Sequence, residues 1–209
     1  TPFQTIQKAI DVSVNGEIVT ILDGEYTGYG NVNLSTRGKS IVVQSQNGPQ
    51  KVKIDCQFNS RAFKINQGET KTTLIKGITI LNGNPNAIPL GIGAAIFVED
   101  NSGIGVLDCF FVNNSKLCIS FGDNEVVGPD SFVKNSIFAD NNERCIVSSK
   151  KSFLVEDCLF THNQFSIGGN GHVANPAQFW KNCVFYCNYS NDVILALGHG
   201  KVLENSLFV

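Results

Sequence analysis

The chain has 209 residues, 42% of them hydrophobic and 16% charged, with a net charge of −2. That length and balance fit one compact or elongated domain without a second. Lys and Arg do not cluster, which excludes the basic stripe of a nucleic-acid partner, and no run approaches the roughly 18 apolar residues of a membrane-spanning helix.

The opening TPFQTIQKAIDVSVNG predicts a short capping helix over 1–15, with Thr1 as N-cap, Pro2 in the first turn and Phe3, Ile6 and Ile10 on one face. Such a helix would close the end of a stacked fold, where apolar interior and unpaired strand edges are otherwise bare. Next, EIVTILDGEYTG reads as a strand, a tight turn at Asp23 and Gly24, and a Tyr-bearing continuation. SIVVQSQNG, KVKIDCQ and RAFKI supply the strands of the following coil.

From residue 74 a register repeats six times: LIKGITILNG, GVLDCFFVNN, FVKNSIFADN, LVEDCLFTHN, FWKNCVFYCN and VLENSLFV. Its anchor column is Ile80, Phe111, Phe138, Phe160, Phe185 and Phe208, with steps by subtraction of 31, 27, 22, 25 and 23 residues. Uneven steps around a constant run mean a fixed strand with variable loops. Five residues before the anchor stand Ile75, Val106, Val133, Val155, Trp180 and Leu203, a core column. Three before it stand Gly77, Asp108, Asn135, Asp157, Asn182 and Asn205, residue types that tolerate the left-handed backbone of a sharp bend. Two before it stand Ile78, Cys109, Ser136, Cys158, Cys183 and Ser206, mostly small side chains.

The runs are short, rich in Phe, Val and Ile, and bounded by Asn, Asp and Gly rather than helix caps. The expected fold is all-β: a single-stranded right-handed parallel β-helix (solenoid) of about eight coils, over 16–209, behind the short N-terminal capping helix. Segments 84–93, 122–130 and 168–176 break the register and read as loops off the stack, the last a flexible bulge rather than a ligand-approaching glycine loop. The chain ends at SLFV in mid-coil, and the natural protein is expected to continue. Any leader or anchor is expected outside this segment.

The cysteines at 56, 109, 118, 145, 158, 183 and 187 are first of all ladder residues. Buried thiols and at least one disulfide both stay open, with Cys118–Cys145 and Cys183–Cys187 the pairs in question. No paired CxxC or spaced His pair suggests a metal, and no cofactor is expected. The acids Asp108, Glu156, Asp157 and Glu204 sit in or beside the bend column, where a structural use is expected. The histidines at 162, 172 and 199 fall in turns or loops and are not expected to be catalytic.

The tetrads FVNN (111–114), FADN (138–141), FTHN (160–163) and FYCN (185–188), with GAAIF (93–97), resemble the FxxN and GGA(I/L/V) repeats of the chlamydial polymorphic membrane proteins, a family of surface-exposed β-helical adhesins. The expected interior ladder is Phe111, Phe138, Phe160, Phe185 and Phe208 from the anchor column, Asn114, Asn141, Asn163 and Asn188 from the tetrads, and Cys109, Cys158 and Cys183. The leader IQKAI…GEIVTILDGEYTG is similar to the first coil of many pectin-lyase-like β-helices, and GHG (198–200) to a short element of polygalacturonases, whose paired aspartates and NTD element are absent. The resemblance implies a noncatalytic extracellular or cell-surface module for adhesion, for glycan or protein binding, or for assembly of a wall, sheath or filament. The alternative is a polysaccharide lyase or glycoside hydrolase of the same fold. Sequons at Asn33, Asn113 and Asn188 accord with secretion.

Two outward columns carry expectations of their own. Lys134, Glu156, Lys181 and Glu204 are expected to form a charge ladder across coils. Flanking the anchor, Phe110, Ile137, Leu159, Val184, Leu207 and Tyr186 are expected to form an apolar strip for a surface protein, a glycan or a second copy of the chain.

Overall fold

The computed structural model describes residues 2–85, 93–99, 101–122, 131–148, 152–168, 178–189, 194–195 and 201–209. One helix, Ile6–Val12, precedes a run of short strands that pair only in parallel and only with the coil before or after. Sheet A holds eight strands: Ile18–Ile21, Val42–Ser45, Leu74–Lys76, Gly105–Leu107, Ser131–Lys134, Phe153–Glu156, Gln178–Lys181 and Lys201–Glu204. Sheet B holds eight: Gly24–Tyr26, Val52–Asp55, Thr79–Leu81, Phe110–Val112, Ile137–Ala139, Leu159–Thr161, Val184–Tyr186 and Leu207–Phe208. Sheet C holds six: Phe63–Ile65, Ile96–Val98, Ile119–Phe121, Arg144–Ser148, Phe165–Gly168 and Ile194–Leu195. Six coils therefore carry all three strands, with a two-stranded coil at either end. The architecture is a parallel β-helix, as the repeat predicts.

Each coil turns from sheet A to sheet B through the predicted bend. Gly77, Asp108, Asn135, Asp157, Asn182 and Asn205 all have φ between 47° and 66°. The small residue that follows ties this bend down. Ser136 Oγ donates to the Lys134 carbonyl at 2.8 Å, and Cys109, Cys158 and Cys183 make the same bond to the carbonyl two residues back at 3.2–3.3 Å. Ser and Cys thus share a column because either reaches that carbonyl.

A second bend, from sheet B to sheet C, puts Asn82, Asn113, Asp140, His162 and Cys187 in the same left-handed region. Immediately after it come the asparagines of the FxxN tetrads. Asn141 donates its side-chain amide both to Asn163 Oδ1 (2.8 Å) and to the Phe111 carbonyl (3.0 Å), while its own Oδ1 accepts from the backbone and side chain of Asn114. Asn163 repeats the pattern onto Asn188 and Phe138, and Asn188 donates to the Phe160 carbonyl. Every amide in this buried column is satisfied, the condition on which a polar ladder can run through a core.

The anchor phenylalanines stack beside it. Phe111, Phe138, Phe160, Phe185 and Phe208 lie ring over ring at 4.6–4.9 Å, tilted 12° or less. All are buried but Phe208, which is 42% exposed in the last coil.

The helix starts later than the sequence suggests. Thr5, not Thr1, is the N-cap: its hydroxyl accepts from the Lys8 N–H at 3.2 Å, and its backbone is extended. The next two N–H groups are also committed, Ile6 to Asn31 Oδ1 and Gln7 to the Gly30 carbonyl, so the 28–31 turn fixes where the helix begins. Ile6 and Ile10 are buried as expected, whereas Phe3 is exposed because it precedes the helix. Lys39 Nζ closes the other end on the Ile10 and Asp11 carbonyls.

Candidate functional site: the outer face of sheet A

In-register stacking turns every outward position of a strand into a column that runs the length of the solenoid. On sheet A one such column is Ile18, Val42, Leu74, Gly105, Phe132, Leu154, Phe179 and Val202. At about 4.8 Å per coil this apolar rail extends roughly 34 Å. Ile18, Phe179 and Val202 are well exposed, and Val42, Leu74, Phe132 and Leu154 are half-buried. Gly105 interrupts the rail for a packing reason: a Cβ there would lie on Leu74 Cδ2 and Phe132 Cζ, which close over it.

A groove of about 610 Å³ lies along the middle of the rail. Its described walls are Phe132, Leu154 and Phe179, the neighbouring Leu107 and Phe153, and the polar residues Ser131, Ser152, Lys71 and Lys134, with the Ser131 hydroxyl turned inward to accept the Ile104 N–H. An apolar floor with a few polar groups at its margins, in a volume of this size, is the usual composition of a small-ligand or oligomer site.

The second outward column carries the predicted charges. Lys134 Nζ stands 2.6 Å from Glu156, and Lys181 Nζ 3.2 Å from Glu204. Between these pairs, Lys181 acts on Glu156 only as a longer-range attraction. The ladder is thus two ion pairs rather than a continuous chain. The hydrogen bond from Lys134 holds the Glu156 carboxyl below its ordinary range, and Lys134 also lies 5.8 Å from the centre of the Phe132 ring.

The acids of the bends are occupied. Asp108 accepts from Asn135, Asp157 from Asn182, and Asp55 from Asn82 and the Gln57 N–H. Among the described residues no three His, Cys, Asp or Glu side chains stand together as metal ligands would. His162 exchanges a hydrogen bond with the Thr161 hydroxyl at 2.7 Å and faces Tyr186 and Tyr189. His172, His199, the GHG element and most of the three loops lie outside the described residues.

The strip expected beside the anchors is on the outer face of sheet B: Phe110, Ile137, Leu159 and Val184 are half-buried, Tyr186 and Leu207 exposed. Of the sequons, Asn33 is exposed on a turn, whereas Asn113 donates its side-chain amide to Asn82 and Asn188 belongs to the interior ladder. None of the seven cysteines is disulfide-bonded, and all but Cys187 are buried. The rail itself was legible six residues before each anchor, in Leu74, Gly105, Phe132, Leu154, Phe179 and Val202, where the glycine and the mixture of aliphatic with aromatic residues hide the pattern.

A family model described as the right-handed β-helix region matches residues 19–177. The chain belongs to that family. No curated protein matches this right-handed β-helix in sequence. Among solved structures it is similar to the alginate lyase AlyGC of the PL6 family (17% identity, TM-score 0.64, covering 88% of this chain and 27% of the lyase). It is also similar to Escherichia coli YbhC (12%, TM-score 0.66, 98% of this chain and 68% of that one) and to the pectin methylesterase of Aspergillus niger (12%, TM-score 0.60, 99% and 71%). The right-handed β-helix described here thus spans about a quarter of the alginate lyase. At these identities the likeness establishes the fold.

Proposed function

We propose that this right-handed β-helix is a noncatalytic glycan-binding module, acting outside the cell or at its surface, that seats a polysaccharide strand along the apolar rail of sheet A. The observation that carries the reading is the rail itself, an apolar column broken only at Gly105 and ending in exposed Phe179 and Val202, beside a groove lined also by Lys71, Lys134 and Ser152. Rings and aliphatic side chains can contact the apolar faces of sugars while hydroxyls and ammonium groups meet their oxygens. The glycan-directed names of an alginate lyase and a pectin methylesterase among its structural neighbours favour a saccharide over another polymer. The absence of turnover is argued from the groove's described lining, which carries no carboxylate to work as acid or base, while Glu156, the partner of the lining residue Lys134, is held in an ion pair.

A screen against pectins, alginates and wall glycans, reading retention and product release in parallel, separates this reading from a lyase, hydrolase or esterase. Retention with no unsaturated product, reducing ends or released methanol is expected. Turnover of any of these substrates would replace the binding module with an enzyme.

A further inference from the structure

We infer that Cys118 and Cys145 are a latent disulfide that joins two successive coils. Ile119 and Ile146 are paired in register on adjacent strands of sheet C, and the Cys118 N–H donates to the Arg144 carbonyl at 3.1 Å, so the two cysteines stand opposite each other one residue earlier. Neighbouring strands lie about 4.8 Å apart, inside the roughly 4.4–6.8 Å between α-carbons that a disulfide spans, so that the stacked β-carbons have only to draw in from about that spacing to roughly 3.5–4.5 Å. Both side chains are wholly buried in the core. The same column on the two preceding coils holds Ala62 and Ala95, so no branched side chain stands above the pair to oppose the small approach that S–S bonding requires.

Oxidation takes one proton and one electron from each thiol. A small disulfide oxidant such as oxidised glutathione accepts both electrons, its own S–S bond breaks, and two glutathione thiols leave as the Cys118–Cys145 bond forms. In the closed solenoid the reaction is blocked twice. No oxidant reaches the sulfurs, and burial pushes the Cys145 thiol well above its ordinary range, which starves it of thiolate. The bond therefore forms while this part of the solenoid is open, during folding in an oxidising compartment, and closure then seals it in whichever state folding left it.

Trypsin separates the two positions, since Lys116, Lys134, Arg144 and Lys150 place Cys118 in peptide 117–134 and Cys145 in peptide 145–150. The test refolds the full chain from urea in oxidised and reduced glutathione, alkylates free thiols and digests it. The expected result is a reducible cross-link between those two peptides, absent from Cys118→Ser, together with a higher unfolding midpoint than that of protein refolded in dithiothreitol. Protein oxidised only after folding should show both sulfurs free. Recovery of Cys118 and Cys145 as alkylated thiols after oxidative refolding, or bonded to glutathione or to other cysteines, would overturn the inference. Running the same test on Cys187→Ser removes the exposed thiol as a competing partner.

Discussion

Asn141 shows how one side chain can hold three coils. It bonds upward to Asn163, downward to the Phe111 carbonyl, and receives Asn114. Replacement by Ala removes these bonds and strands buried partners on both sides, at about 1–3 kcal/mol for each group left unpaired. Asn141→Ala should therefore lower the urea midpoint by the equivalent of about 3 kcal/mol or more, whereas Asn142→Ala, at an exposed neighbour, should lie within about 0.5 kcal/mol of wild type.

Glu69 plays a similar part in the loop that leads from sheet C back to sheet A. Its buried carboxylate accepts the Thr36 and Ser102 hydroxyls and the Gly38 and Gln67 N–H groups, tying three successive coils. Burial alone would raise its pKa, but the donated bonds outweigh it and hold the carboxyl below its ordinary 4.5. Its stabilising contribution is thus present in full above about pH 4.5, where the unfolded chain also loses this proton, and fades as pH falls through the lower folded value. Chemical denaturation across pH 3–6 should show stability dropping below about pH 4.5, with a shallower drop in Glu69→Gln. Equal slopes would show that other carboxylates govern the acid limb.

At the scale of the element, the parts legible in the sequence were those that repeat identical demands. The anchor column and the first bend could be read because six coils impose the same burial or the same left-handed backbone, and few residue types meet either. The FxxN tetrads belong with them: their Phe is the ring stack and their Asn the amide ladder, so the motif describes the interior of the coil. The second bend was missed because Asn82, Asn113, Asp140, His162 and Cys187 share a conformation without sharing a chemistry. Sheet C was also hard to read, since its strands sit on the far side of variable loops and its outward Ser120 and Val147 are buried, which erases the alternation of a half-exposed strand. The helix start depended on the 28–31 turn, a tertiary contact that no local signal announces.

Gly105 separates packing from binding at this scale. Adding a methyl group there forces the far ends of Leu74 and Phe132 apart, and both can swing into the groove without moving backbone. Gly105→Ala should keep the unfolding midpoint within the equivalent of about 1 kcal/mol, yet weaken glycan retention by displacing the Phe132 ring. A variant that unfolds instead would show that this part of the rail is rigid core.

Over the whole molecule, the described strands of each coil pair only with those of the coils beside it, so stability accumulates along the axis. The exposure of the outer turns can be tested through the sequons. In a secreting eukaryotic host, glycosylation is expected at Asn33, on an exposed turn, and not at Asn113 or Asn188, whose side-chain amides are engaged in ladders. Mass spectrometry before and after enzymatic deglycosylation reads each site, and a glycan at Asn188 would mean that the interior ladder opens before the chain folds.

Sheet A, and not sheet B, is proposed to hold the saccharide and to leave it intact. Calorimetric titration of one retained oligosaccharide into wild type, Phe132→Ala, Phe179→Ala and the sheet B variant Leu159→Ala tests it directly, with the titrated sample analysed afterwards for products. Loss of a ring from the site should weaken binding by about tenfold or more, since burying a phenylalanine contributes on the order of 1.5–3 kcal/mol. Leu159→Ala should bind as wild type does, and the oligosaccharide should be recovered intact. Unchanged affinity in both phenylalanine variants, loss of affinity in Leu159→Ala alone, or recovery of cleaved or de-esterified sugar would rule out a noncatalytic saccharide site on sheet A.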